Sequence, residues 1–291
     1  MRSTNRPPSR RRWVTVVTAS VVLISACGSG SSKVAGPEPQ RTVFDPANFV
    51  GPAASTNPWQ PLVPGTQWVR EGTTEVGSRV VPHQVITTVT DVVRVIDGVT
   101  TLAVLDQDTD AGQITQVSID YVAADRQGNV WILGGYTEDF EAGVFTNSHD
   151  SWLGAASGDP GILVPRAPTA STPRWHIGEP FTDEPSAGEV VETGAHQCVP
   201  FACYDNVLIV REGKVSAIDN EFKFYAPGVG LILNSPKKDS KHKDTEELVN
   251  LTQLSRVGLT ETSSEVMQLE AHARQTQPRS FGGAAASTRL P

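Results

Sequence analysis

The chain has 291 residues, 38% hydrophobic and 19% charged, enough for one sizeable folded core and unlike a disordered composition. Its formal net charge is −8, and Arg2, Arg6, Arg10, Arg11 and Arg12 stand without an acid in residues 1–26, so removing these five leaves −13 for anything that begins at Cys27. That charge, with no basic stripe carrying interleaved aromatics, sets nucleic acid aside as a partner.

The first element is a leader. A basic, Pro-rich dozen residues precedes an apolar run from Trp13 to Ile24. About a dozen apolar residues suit a signal-peptide core, whereas a membrane helix needs ~20. Leu23-Ile24-Ser25-Ala26-Cys27 then resembles a bacterial lipobox, with Ile24 where Leu is usual. The resemblance implies cleavage before Cys27 and attachment of palmitate-type acyl chains to its thiol. Each buried CH₂ is worth ~0.8 kcal/mol, so two chains anchor stably. Residues 1–26 are therefore read as a lipoprotein signal peptide and 27–42 as a flexible Gly/Ser tether. The expected location is extracytoplasmic, with the cell membrane as a partner through the anchor.

A β-rich domain is expected over residues 43–258. After a Pro-rich approach, β-branched residues dominate from Thr66 to Gly134. Asp97-Gly98, Asp110-Ala111-Gly112 and Arg126-Gln127-Gly128-Asn129 mark turns between strands. Residues 135–187 read as a long irregular excursion, the kind of loop that often carries function. Strands resume in GEVVETGAHQ, CYDNVLIVRE, SAIDNEFKFYA, VGLILN and TEELVNLTQL. In Tyr225-Ala226-Pro227-Gly228-Val229-Gly230, Pro227 presets the first turn angle and Gly228 supplies a positive φ, which predicts a tight reversal. Residues 259–276 predict a helix capped by Thr262 or Ser263, with Val266, Leu269 and Ala273 on one face. Residues 277–291 read as a disordered tail. The fold class is mainly β: a curved antiparallel meander or half-barrel of about nine to eleven strands with a C-terminal helix against it.

The ordered phrases NPWQPLVPGTQWV, VTDVVRVIDGV, DRQGNVWILGG, PGILVP, CYDNVLIV and FYAPGVGLI, spanning roughly Phe44 to Gln275, resemble a family of secreted bacterial β-rich proteins. That resemblance implies secretion and a β fold and brings no activity with it. The Cys198/Cys203 pair and the lysine-rich turn from Lys237 to Lys243 depart from it. The strands-then-helix order also resembles lipid-carrying half-barrels of bacterial envelopes, whose helix covers a concave sheet; that likeness concerns fold alone.

Little in the chain spells chemistry. Cys198 and Cys203, outside the cytoplasm and too few for zinc with His196, read as a disulfide. Asp106, Asp108 and Asp110 look like the start of a calcium loop, but Gly112 and Val117 break the pattern and flanking strands oppose it. They remain weak metal candidates beside a plain acidic hairpin end. Glu138, Asp139 and Glu141 crowd near Trp131, Tyr136 and Trp152, with His149 beside Asp150, the best glycan-binding or hydrolase-like grouping. A solvated acidic loop over core aromatics is the simpler reading. No nucleophile elbow, P-loop or dinucleotide fingerprint occurs. The sequence thus predicts a non-enzymatic envelope lipoprotein with no catalytic residue and no cofactor. It would bind a lipid or other apolar molecule, or an envelope protein. The alternatives are a structural surface protein or, last, a glycan hydrolase using residues 138–152.

Overall fold

A computed structural model describes residues 38–49, 51, 55–148, 150–183, 185–215, 220–236 and 243–291. Cys27, its leader, most of the tether, His149 and the turn at 237–242 lie outside the described residues. The strands are β1 Thr66–Val76, β2 Arg79–Ile96, β3 Val99–Asp110, β4 Gln113–Ala124, β5 Val130–Glu141, β6 Val144–Asn147, β7 Trp152–Leu153, β8 Gly158–Asp159, β9 Gly161–Val164, β10 Trp175–Ile177, β11 Glu179–Pro180, β12 Ser186–Cys198, β13 Cys203–Lys214, β14 Asn220–Ala226, β15 Gly230–Pro236, β16 Thr245–Gln253 and β17 Thr288–Arg289. The helices are α1 Gly154–Ser157, α2 Arg256–Thr276 and α3 Pro278–Phe281.

One antiparallel sheet runs in the order β10-β12-β13-β14-β15-β16-β1-β2-β3-β4-β5-β6. β7 and β9 add to β5, and β17 to β2. The turns behave as the sequence dictates. Asp97 and Gly98 both have positive φ (49° and 83°), the backbone that a two-residue β2–β3 hairpin requires. Asp125 Oδ1 accepts from the N–H groups of Gln127 and Asn129 at 2.9 Å and so shapes the β4–β5 turn. The Pro227-Gly228 reversal joins β14 to β15, and Trp68 Nε1 donates to Val229 O across it at 2.8 Å.

The sheet curls. One recess is lined by Trp68 of β1, Val104 of β3, Val122 of β4, Tyr225 of β14, Leu231 of β15 and Leu163 of β9. Strands so far apart in the hydrogen-bonded order share a recess only if their common face is concave. Side chains alternate along a strand, so the next residue of each strand faces the other way. On β3, Asp106 faces the recess while Gln107 donates to Glu265 of α2. On β4, Asp120 faces the recess while Tyr121 donates to Glu270 of α2 at 2.6 Å. The helix therefore packs on the convex face, not over the concave one as in the lipid-carrying half-barrels.

Ser255, not Thr262 or Ser263, caps α2 and accepts from Gly258 N at 3.2 Å. The helix thus begins one residue after Ser255, a turn earlier than the apolar spacing suggests. Ser263 instead points inward and donates to Asp91 at 2.7 Å. Val266 and Ala273 are fully buried, with Leu269 packed beside them. The tail is packed against the body in this structure. Phe281 is fully buried, edge-on to Tyr136 at 5.5 Å, and Arg289 grips Asp91 at 2.7 and 2.8 Å. The small residues around Phe281 hide a single aromatic anchor from a composition-based reading. Among the described residues no helix is long and apolar enough to cross a membrane.

Candidate functional site: the concave cleft

The concave face carries an apolar floor and a polar mouth. Trp68, Val104, Val122 and Tyr225 floor it. Above them opens a cleft of about 600 Å³ whose lining includes Arg70, His83, Asp106, Asp108, Lys223 and Glu246. Register sets these positions. Arg70 of β1 pairs across with Val85 of β2, which pairs with Asp108 of β3; Thr87 pairs with Asp106 one row deeper. Three neighbouring strands thereby present polar atoms to one space.

The cations of the cleft already have partners. Arg70 Nε donates to Glu246 at 2.9 Å and its Nη2 to Thr87 at 2.8 Å. Burial works against the Arg70 charge, but Glu246 and Asp106 outweigh it and hold its pKa above the ordinary value. Glu246 sits below its ordinary value: burial pushes it up, and Arg70 more than reverses this. Lys223 Nζ lies 2.8 Å from Glu212, which keeps it charged despite burial. His83 Nδ1 takes up Asp110 at 2.8 Å.

Several acceptors do not. Thr87 Oγ1 donates to Asp106, but among the described residues the side chains of Asp108 and Asp120 receive no hydrogen bond. Burial, then the charges of Asp106 and Glu246, push Asp108 up to about 8. Burial, then Asp106, raises Asp120 to about 7. Asn234 donates through Nδ2 to Glu246 at 3.2 Å, which fixes the orientation of its amide, and its buried Oδ1 is left without a partner. Gly135 leaves room beside Asp120; a Cβ there would sit 3.4 Å from Asp120 Oδ1.

The other residues singled out in the sequence fall elsewhere. Trp131, Tyr136 and Trp152 are each at most 3% exposed, so no ring face is offered to a sugar. Trp131 packs with Phe44 and Phe49 and donates to Asp125 at 2.8 Å. Strand alternation splits the carboxylate grouping. Glu138 is buried against α2, bonded to Tyr136 and His272 at 2.7 Å, Asp139 lines the cleft, and Glu141 is exposed. No acid–base pair is assembled there. Cys198 and Cys203 form a disulfide. This leaves no thiolate for a metal, although His196 stands beside them. Asp106, Asp108 and Asp110 occupy alternate positions of one strand, ~7 Å apart along it, and do not gather as a calcium loop gathers its ligands.

Sequence reasoning missed Arg70, Asp120, Lys223, Asn234 and Glu246. Their signal is a polar residue two positions from an apolar one, which puts both on the same strand face, as in Trp68-x-Arg70 and Asp120-x-Val122.

No family profile and no curated protein matches this chain. Among solved structures, a protein described as a lipoprotein from Parabacteroides distasonis aligns at 13% identity and TM-score 0.39, over 69% of this chain and 100% of its own. An exported protein with a YmcC-like fold from Bacteroides fragilis aligns at 11% identity and TM-score 0.38, over 67% and 99%.

Proposed function

We propose that this chain is an extracytoplasmic, lipid-anchored binding protein whose concave cleft holds a small polar ligand bearing positive charge, with no chemistry performed on it. The observation that carries this reading is a mismatch inside the cleft. Arg70 and Lys223 are already satisfied by Glu246 and Glu212, while Asp108, Asp120 and Asn234 Oδ1 face the space as acceptors without donors. Leaving the buried Asn234 Oδ1 unmade costs ~1–3 kcal/mol, and the half-buried Asp108 and Asp120 carboxyls crowd one another without a cation between them. A ligand with several N–H donors would recover that cost and relieve the crowding of carboxylates. The cleft volume lies within the ~300–1,000 Å³ of small-molecule sites. Its polar mouth favours such a ligand over the lipid or apolar molecule that the strand pattern suggests.

The address rests on the leader before Cys27 and on the disulfide, which persists in oxidising compartments. The absence of chemistry is supported by the separation of Glu138 from Asp139 on opposite faces.

The test is native mass spectrometry and calorimetry on the full chain in mild detergent, with spermidine and arginine as probes and phospholipid as the apolar competitor. A saturable amine complex that weakens at least tenfold in Asp108→Asn/Asp120→Asn supports the reading. Retained phospholipid displaced by neither probe returns the cleft to the apolar reading, and amine binding indifferent to both substitutions removes the cleft as the site.

A further inference from the structure

A second cluster lies at the edge of the sheet, outside the cleft. Asp159 ends β8 and Glu179 opens β11, and the two residues pair directly across that short ladder. Cross-strand partners present their side chains to one face. His176, in the middle of β10, enters three residues before Glu179. His176 Nε2 lies 3.3 Å from Asp159 Oδ2, and His176 Nδ1 lies 3.5 Å from Glu179 Oε1. One imidazole nitrogen and one oxygen from each carboxylate fall within 4.8 Å of one another.

The group is prepared for a cation. His176 is 3% exposed, and its Nδ1 has no hydrogen-bond partner although a carboxylate oxygen stands close by. Glu179 is 5% exposed and anchored by the Ser186 N–H, which donates to its other oxygen. The Asp159 side chain is 39% exposed and leaves the cluster open to solvent on one side.

A cation already stands there. Arg41 belongs to the strap that bridges to β10 through Gln40 and reaches Asp125 of the β4–β5 turn through Phe49. Its guanidinium pairs with Asp159, lies 3.3 Å from His176 Nε2 and 3.9 Å from Glu179 Oε1. It brings one positive charge to two carboxylates, and half of its side chain is exposed.

We propose that Asp159, Glu179 and one ring nitrogen of His176, Nε2 where Arg41 now stands, form a binding site for a first-row divalent cation of the zinc class, with Arg41 as its resident stand-in. A neutral imidazole with two carboxylates is a zinc-type donor set, whereas calcium and magnesium take oxygen ligands alone. Bonds of ~2.0–2.2 Å in a tetrahedron place donor atoms ~3.3–3.5 Å apart. Such a metal therefore draws these groups together once the guanidinium swings out. Its two charges match the two carboxylates, and the exposed side at Asp159 leaves a fourth position for water. The Ser186 N–H on Glu179 is the outer contact that orients a ligating carboxylate.

The test uses the full chain in mild detergent, stripped with a chelator, then titrated with Zn²⁺ by calorimetry and with Co²⁺ by absorbance. One equivalent should bind, with the absorption of four-coordinate Co²⁺. Affinity should fall at least tenfold in His176→Gln and in Asp159→Asn. Arg41→Gln should bind several-fold more tightly, because the competing cation is gone; circular dichroism checks that it folds. A purely structural ion cluster would behave differently: Arg41→Gln would lose stability and gain no affinity. Absence of binding in both the wild type and Arg41→Gln overturns the proposal, and so does Zn²⁺ binding that His176→Gln leaves unchanged.

Discussion

The two faces of the curved sheet handle charge in opposite ways. On the convex face, under α2, the buried charges lie together, although Arg94 Nη1 and Nη2 make no well-aligned hydrogen bond. Arg94, 2% exposed, pairs with Glu270 at 3.2 Å and lies between the rings of Tyr121 and Phe281 at 5.5 and 5.3 Å. Glu270 also accepts from Tyr121 and Ser287. On the concave face, the half-buried carboxyls of Asp108 and Asp120 open into the cleft without a protein donor, and the buried Asn234 Oδ1 has no partner. The difference is what singles out the concave face as the proposed site. Charges of opposite sign packed together specify one arrangement, whereas carboxylates gathered without a cation repel one another and raise each other's pKa.

The comparison breaks first at Glu270. Glu270→Ala strands the Arg94 guanidinium in the convex core and should cost ~3–5 kcal/mol, read by denaturant unfolding. A loss below ~1 kcal/mol would mean that the two rings alone hold Arg94. Close behind, Phe281→Ala should cost ~3 kcal/mol or more, because it opens a cavity beside Tyr136 and releases the tail from β2. Protease should then reach residues 282–291 well before the rest of the chain. Smaller is the disulfide, which belongs to neither face. It links residues only five apart at the end of the β12–β13 hairpin, so Cys203→Ser should cost ~2 kcal/mol by loop-closure entropy and leave ligand affinity at the cleft unchanged.

The smallest effect has the opposite sign. Asp108 titrates near 8 in the fold and near ~3.9 unfolded. Its contribution is therefore fully present below about pH 4 and is lost as pH rises through about 8. Asp108→Asn should raise stability at pH 8 by ~1 kcal/mol, discounted for water in the cleft, and flatten the fall in melting temperature between pH 6 and 8. If the variant is instead less stable at pH 8, Asp108 has a partner in the native state and the contrast between the faces fails there.

The backbone design was legible in the chain. Period-two alternation, Asp97-Gly98, Ala111-Gly112, the Asp125 turn and Pro227-Gly228 are local signals, and each governs a few neighbouring torsions, so strands and reversals could be placed from sequence. The helix could be recognised but not its first turn, because Ser255 and Ser263 are both competent caps and only contact with Asp91 claims Ser263 for the interior. Phe281 was one aromatic in a small-residue tail, and its anchoring needed Tyr136, 145 residues away. The disulfide followed from compartment and proximity. The cleft did not follow. Alternation says that Asp120 and Tyr121 face opposite ways, but not which of them faces the concavity. That assignment depends on the curl that sets β14 and β4 around one recess, a long-range property of the sheet. Glu138 and Asp139 show the same limit: adjacent in sequence, they belong to opposite faces of the molecule. The sequence by itself determined the strands, their turns and the acidic character of the domain, because these reside in local torsions and composition. Only the tertiary structure decided which carboxylates meet a cation and which remain open, because pairing depends on register and curvature across strands distant in the chain.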